Sequence, residues 1–453
     1  MIKIFAVKII SLMLVLLLLL SACTPKSSVK QENPQGNKIV TIKFVDVMPS
    51  PERDQIYQEI INEFTKVYPN IKVDLETIPW DQAHDKLVAL AASKQLPDVI
   101  MLHPLWVPEF ISAGWVKRID SYYQHFKYKN DLIPFVKDVM IQKRQKDVYG
   151  GIYYLVDTVN VHALYVRSDW FKEAGIPLPK TWNEVFEAAK KLTDPAKNRY
   201  GFAYRGARLG FEQIMDYVFT ALHGQLYDKD GNCLISTPPA VEAFIRYTDL
   251  YKKGYSPKDS INWGYREMVQ AFTSGLVGIM NQTSEVIEVC KKNMKEGTWE
   301  VIPFPKADDG KIYSSALAFG YAISANSSHP DEAWKFIEFL SSPDINLKYA
   351  KGNGFLPIVK QGISDPYFTE GPMKGYYDTL NSPDLVALPD WGYFPQLGEF
   401  TESIMDAEVQ KYLLGQQSAE ETLKKLADYL TKYQKEYMKE HPNIPVPQPF
   451  SLR

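Results

Sequence analysis

Ile39-Val-Thr-Ile-Lys-Phe-Val45, Ile71-Lys-Val-Asp-Leu75 and Pro97-Asp-Val-Ile-Met101 are three short runs rich in β-branched and apolar residues. Each has the length and composition of a strand. Residues 53–67 and 81–93, which separate them, repeat apolar side chains at helical spacing. Strand, helix, strand, helix, strand is the order of a βαβ unit, which requires a parallel sheet with helices packed on it. In such sheets ligands bind beyond the carboxyl ends of the strands. Asp46, Trp80 and His103 follow the three strands and are placed at that edge.

The pattern recurs downstream. Residues 149–156, 161–166, 200–204 and 277–280 read as strands. Thr181 and Glu184 have capping-box spacing at the start of a helix that runs to Leu192. Further helices are expected over 239–252, 265–274, 330–340 and 419–439. The last carries Leu423, Leu426 and Leu430 on one stripe and stops before Pro442.

Upstream of the first strand the chain has a different character. Lys3 and Lys8 precede an apolar run from Ile9 to Leu20, then Leu20-Ser-Ala-Cys23. The run is too short to cross a bilayer core of about 30 Å as a helix and suits the apolar segment of a secretory signal. Leu-Ser-Ala-Cys resembles the bacterial lipobox, which implies cleavage before Cys23, lipidation of its thiol, and residues 1–22 as the signal peptide. Residues 23–37 are polar, with Ser, Pro, Gln and Asn and no apolar period, and read as a flexible tether. An extracytoplasmic protein held on the membrane face is expected.

The remaining roughly 430 residues suffice for two or three domains. Net charge is −3, so nothing in the balance calls for nucleic acid. Cys233 and Cys290 are the only other cysteines; they either form one disulfide or remain two thiols, and their spacing suits no metal site. Aromatic residues make up 13% of the chain, which suits stacking on the apolar faces of sugar rings or equally a large core.

Several local patterns coincide in order. They are Leu96-Pro-Asp-Val-Ile100 with Ser112-Ala-Gly-Trp-Val116, residues 161–175, and Lys180-Thr-Trp-Asn-Glu-Val185. Then come Ala271-Phe-Thr-Ser-Gly275, Ala318-Phe-Gly-Tyr-Ala-Ile-Ser324, Ser328-His-Pro-Asp-Glu-Ala333 and Gly354-Phe-Leu-Pro357. Together with the lipobox they resemble extracellular solute-binding proteins of ABC importers, sugar class, related to maltose-binding protein. The resemblance implies an α/β, periplasmic-binding-protein-like fold. Its two lobes have central mixed or parallel sheets flanked by helices, and the chain crosses between them three times, near 156–160, 305–318 and Pro357. The lobes would comprise 38–156 plus 318–357 and 157–317 plus 358–453. A carbohydrate or polyol bound in the cleft by hinge closure, delivery to a membrane permease, a monomeric state and no cofactor are implied with it.

A sugar site needs forks for adjacent hydroxyls and flat rings for apolar faces. Asp46 is a candidate contact or a turn carboxylate. Trp80 and Asp81 follow the second strand, Asp81 being alternatively a helix cap. His103 and Trp106 lie in the loop after the third. Asn160 sits at the first crossing and Phe319 and Gly320 at the second. Arg205 and Arg208 follow the strand at 200–204 and are alternatively solvated surface groups. Trp263 and Trp391 are isolated rings in loops. Where the family has a Gly-Ser-Trp-like turn, this chain has Thr283-Ser-Glu285, so Glu285 replaces an aromatic and opens the site to a polyol or charged glycan. No glycosidase-like block, Gly-x-Ser-x-Gly elbow or His-Glu-x-x-His helix occurs. Binding is therefore expected rather than catalysis. The competing readings are a non-sugar or acidic glycan ligand, or a glycan-processing enzyme.

Overall fold

The computed structural model describes residues 38–316 and 318–451. The expectations for the signal peptide, Cys23 and the tether lie outside the described residues. Strand β1 (Val40–Asp46) pairs in parallel with β2 (Ile71–Thr77) and with β3 (Val99–Leu102). The opening three runs therefore form one parallel unit, as their order requires. Between them, the helix Pro51–Val67 starts where Ser50 Oγ accepts from Arg53 N at 3.1 Å, with proline at its first position. It buries Tyr57, Ile60, Ile61 and Phe64 against the sheet. The helix Trp80–Ala92 has Pro79 at its cap, so Asp81 lies in the first turn and is not the cap.

Strands β4 (Tyr154–Val156) and β5 (Thr158–Val159) follow, then β6 (Ala163–Val166), β7 (Tyr200–Phe202), β8 (Val277–Gln282), β9 (Glu300–Ile302), β10 (Ile312–Ser314), β11 (Gly320–Ile323) and β12 (Leu356–Pro357). The first sheet has the order β2-β1-β3-β11-β4 and the second β7-β8-β6-β9. Each mixes parallel and antiparallel pairs. The chain passes from the first sheet to the second through β5, back between β10 and β11, and outward again after β12. β5 and β12 pair with each other, Thr158 opposite Pro357. Two of the three passages are thus one short ribbon.

A buried polar cluster holds that ribbon. Asn346 donates to the Asp157 carbonyl at 2.7 Å, and its own Oδ1 accepts from Ile358 N at 3.0 Å, so one side chain ties both passages. Tyr349, one turn later, donates to Asp157 Oδ2 at 3.1 Å and accepts from Tyr57 at 2.9 Å. Beside them Arg53 Nε donates to both oxygens of Asp46, each at 3.0 Å. Burial raises the Asp46 carboxyl and the Arg53 charge lowers it, leaving it above the usual carboxylate range.

Two expectations are corrected here, and one left open is resolved. Only Tyr154–Val156 of the run 149–156 is a strand, because Gly150 adopts φ 68° and ends the preceding helical segment. Gly320 has no role as a close approach to ligand; it lies within β11, where an added Cβ would meet Tyr154 Cδ2 at 2.3 Å. Cys233 and Cys290 are both buried free thiols. Removing one partner of a buried ion pair leaves the other uncompensated, at a cost of about 3–5 kcal/mol. Arg53→Ala should therefore lower unfolding stability by that amount in urea titrations at pH 7. A change under about 1 kcal/mol would show that the pair behaves as a solvated one.

Candidate functional site

Because β1, β2 and β3 run in parallel, their carboxyl ends deliver Met48, Trp80 and His103 to one edge. β11 runs antiparallel to β3, with Gly320 opposite Leu102, so Phe319 arrives beside His103. Their rings meet edge to face at 4.8 Å. In the second sheet β7 and β8 are parallel, so Arg205 and Glu285 follow at the same edge. β6 is antiparallel to β8, with Ala163 opposite Gln282, which places Asn160 and His162 there too. The two edges enclose a cavity of about 560 Å³, within the range for small-ligand sites.

Of the residues expected from sequence, Trp80, Asp81, His103, Asn160, Arg205, Arg208, Glu285 and Phe319 line this cavity. Asp46 does not: it is fully buried behind Arg53. Trp106 is also fully buried, stacked on Trp80 at 5.3 Å with its Nε1 donating to Glu402 at 3.1 Å. Trp263 is buried with its indole donating to Asp259, and Trp391 packs on Phe211 and Phe400. These three tryptophans are core rings. Trp106 and Trp263 bury their rings with the indole N–H met by a carboxylate, and Trp391 does so by packing on other rings.

His162, Glu212, Gln282 and Tyr265 also line the cavity and were missed. His162 carried a signal, since it lies two residues after Asn160 and so faces the same way in extended chain. Glu212 carried none; an acid in the first turn of the helix Gly210–Ala221 is ordinary dipole chemistry.

The loop 205–209 is shaped by its backbone. An added Cβ at Gly206 would meet Ile261 Cα at 2.4 Å, and Leu209 adopts φ 66°, a conformation costly for a side chain with a Cβ. Arg208, at the end of this turn, donates to Glu402 Oε2 at 2.9 Å, to the Trp80 carbonyl at 2.7 Å and to Asp81 at 3.2 Å. Its guanidinium carbon also lies 4.7 Å from the Trp80 ring centroid. Lys292 pairs with Glu52 on another side of the cavity. Both contacts tie segments that follow strands of one sheet to segments that follow strands of the other.

Within the cavity several polar atoms are buried without partners: His103 Nδ1, Asn160 Oδ1, Arg205 Nε, Gln282 Nε2 and Glu285 Oε2. Arg205 makes no hydrogen bond or ion pair among the described residues. An unmet buried donor or acceptor costs about 1–3 kcal/mol, so a concentration of them points to a ligand that meets them. A separate hollow of about 640 Å³ beside Trp299 and Gly371 has no such side-chain atom. Burial holds His103 neutral, at about 3. At His162 burial opposes the charge, but Asp216, 2.6 Å from Nδ1, outweighs it and the pKa is raised. No His, Cys, Asp and Glu cluster suited to a metal occurs among the described residues.

The bacterial extracellular solute-binding protein family model matches residues 49–346. The maltotriose-binding protein of Pyrococcus abyssi (strain GE5 / Orsay) is 25% identical over 338 residues, covering 71% of this chain and 68% of that protein. Among solved structures, maltose-bound MalE3 of T. maritima superposes with a TM-score of 0.74 at 23% identity, covering 86% of this chain and 99% of that one. An ABC transporter solute-binding protein of Agrobacterium vitis S4 with bound D-mannitol gives 0.71 at 22% identity, covering 87% and 98%.

Burial pushes the Glu212 carboxyl up from 4.5 to about 7. The folded state then binds its proton more tightly than the unfolded chain, so stability falls as pH rises from about 4.5 to about 7. The full decline is on the order of 3 kcal/mol. Glu212→Gln should abolish this part of the ligand-free stability profile and melt above wild type at pH 8. Parallel profiles for the two proteins would place the carboxyl in solvent.

Proposed function

The chain belongs to the bacterial extracellular solute-binding protein family, and we propose that it is the lipid-anchored binding component of an ABC importer for a carbohydrate or polyol. The observation that carries this reading is the cavity between the two sheet edges. It joins an aromatic wall of Trp80, His103 and Phe319 to unmet hydrogen-bonding groups on Asn160, Arg205, Gln282 and Glu285. Sugars and polyols present that combination, with apolar C–H faces beside closely spaced hydroxyls. The likeness to proteins named for maltotriose, maltose and D-mannitol supports it.

In this reading residues 38–156 plus 318–357 form one lobe and 157–317 plus 358–453 the other. The ribbon of β5 and β12 serves as hinge, and ligand draws the lobes together. The Arg208 and Lys292 contacts across the cavity are those of the closed form. Cys23 carries the lipid, residues 23–37 the tether, and the closed monomer docks on a transmembrane permease without cofactor or catalysis. A tether keeps receptor and permease at high effective concentration.

A ligand bound only to the folded protein adds RT ln(1 + [L]/Kd), about 2.7 kcal/mol at a hundredfold excess over Kd. At least one member of a panel of mono- and oligosaccharides and polyols should raise the melting midpoint accordingly. Arg205 is desolvated and unpaired, so Arg205→Met should abolish that shift while the ligand-free protein melts at or above wild type at pH 6. A panel without any shift, or turnover of a member, overturns the reading.

A further inference from the structure

The charged side chains at the floor of the cavity do not balance. Two cations face it there, Arg205 and His162. Four carboxyls surround them: Glu212, Glu285, Asp216 and Asp406. Asp216 is committed, accepting from His162 at 2.6 Å, from Asn281 at 3.2 Å and from Ser315 at 3.3 Å. Asp406 accepts from the backbone N–H of Phe211 at 2.8 Å. Glu212 and Glu285 have no ion pair among the described residues. Glu212 is over nine-tenths buried, at 8% exposure, and lines the cavity without a hydrogen bond. Glu285 uses one oxygen to accept from Thr283 Oγ1 at 2.7 Å; the other has no hydrogen bond within normal geometry, although the Tyr265 hydroxyl also acts on this carboxyl.

The other charges around the cavity are accounted for. Arg53 is paired with Asp46, Arg208 with Glu402 and Asp81, Lys292 with Glu52, and Glu288 with Lys291. Glu267 caps Gly264 N at the rim, and Arg266 is exposed beside it. The open valences are therefore one guanidinium, two carboxyls, the acceptor Asn160 Oδ1, the donor Gln282 Nε2 and the neutral His103 Nδ1. Hydroxyls alone leave this excess of negative charge in place, and an acidic sugar adds to it. An ammonium supplies three donors, no acceptor and one positive charge. It meets the excess directly, while Arg205 remains for a pair of hydroxyls.

Resting on the carbohydrate reading above, we propose that the cargo is an amine-bearing sugar or polyol whose ammonium is received by Glu212 and Glu285. Burial raises both carboxyls in the empty cavity, Glu212 to about 7, because an uncompensated negative charge there is costly, and a bound ammonium offsets that cost.

The test is a matched calorimetric series at pH 7.5 on the full-length protein. Glucose, galactose, mannose and sorbitol are each titrated beside their amino-deoxy counterparts, with glucuronate and galacturonate as the acidic set. The tightest ligand is expected to be an amine, at least tenfold tighter than its neutral parent. Glu212→Gln and Glu285→Gln should each reduce the ratio of amine to parent affinity at least threefold. Two isosteric variants guard against one that fails to fold, checked by melting. A neutral parent or a uronate binding as tightly as the amine overturns the inference and leaves the carbohydrate reading standing, as does an amine preference that survives both variants. No binding across the whole series overturns the inference, and no binding to the wider panel of oligosaccharides and polyols as well overturns both.

Discussion

The position of two of the three passages between the sheets depends on one buried polar cluster. Asn346 bonds to Asp157 and to Ile358, so the two outgoing strands cannot shift independently. Tyr349 and Tyr57 link that ribbon to the first sheet, and the Arg53–Asp46 pair fixes Tyr57 from below. The cluster has few rotatable, water-exposed parts, and a satisfied buried network of this kind specifies one arrangement. It leaves the ribbon β5–β12 as a two-stranded link, narrow enough for the sheets on either side to rotate about it. A wider sheet across the same gap would have made the molecule rigid.

From that arrangement the cavity follows. Two mixed sheets whose carboxyl edges face each other must bring their loops together, and the loops carry the chemistry. The groups left unmet there, Arg205 above all, oppose folding. They persist in a large, well-packed molecule whose hydrophobic burial outweighs them. Contacts made by Arg208 and Lys292 across the cavity belong to the protein itself.

Much of this architecture was legible in the sequence, because periodicity and end signals are local. The runs that became β1, β2 and β3 announced a parallel unit, and Thr181 with Glu184 announced a helix start that forms with both capping bonds present. The site was legible by position and less so by residue. Trp80, His103 and Arg205 follow strands whose direction could be inferred. Asp46, equally well placed at a strand end, turned inward because Arg53, one helical turn into the next element, offered a partner no pattern reveals. Trp106 and Trp263 went to the core where a carboxylate met the indole, Trp391 where Phe211 and Phe400 packed on it, and Glu212 looked like any acid at a helix start. Which way a side chain faces is decided by long-range neighbours, and sequence spacing does not encode them.

The central claim is that a carbohydrate-class ligand occupies the cavity between the sheet edges. A crystal structure of the protein with whichever panel compound stabilises it most tests this directly. The account predicts the ligand within hydrogen-bonding distance of Arg205 and Asn160, with its apolar face toward Trp80 or Phe319. A ligand seated in the outer hollow beside Trp299, or a cavity that stays empty at saturating concentration, would contradict it.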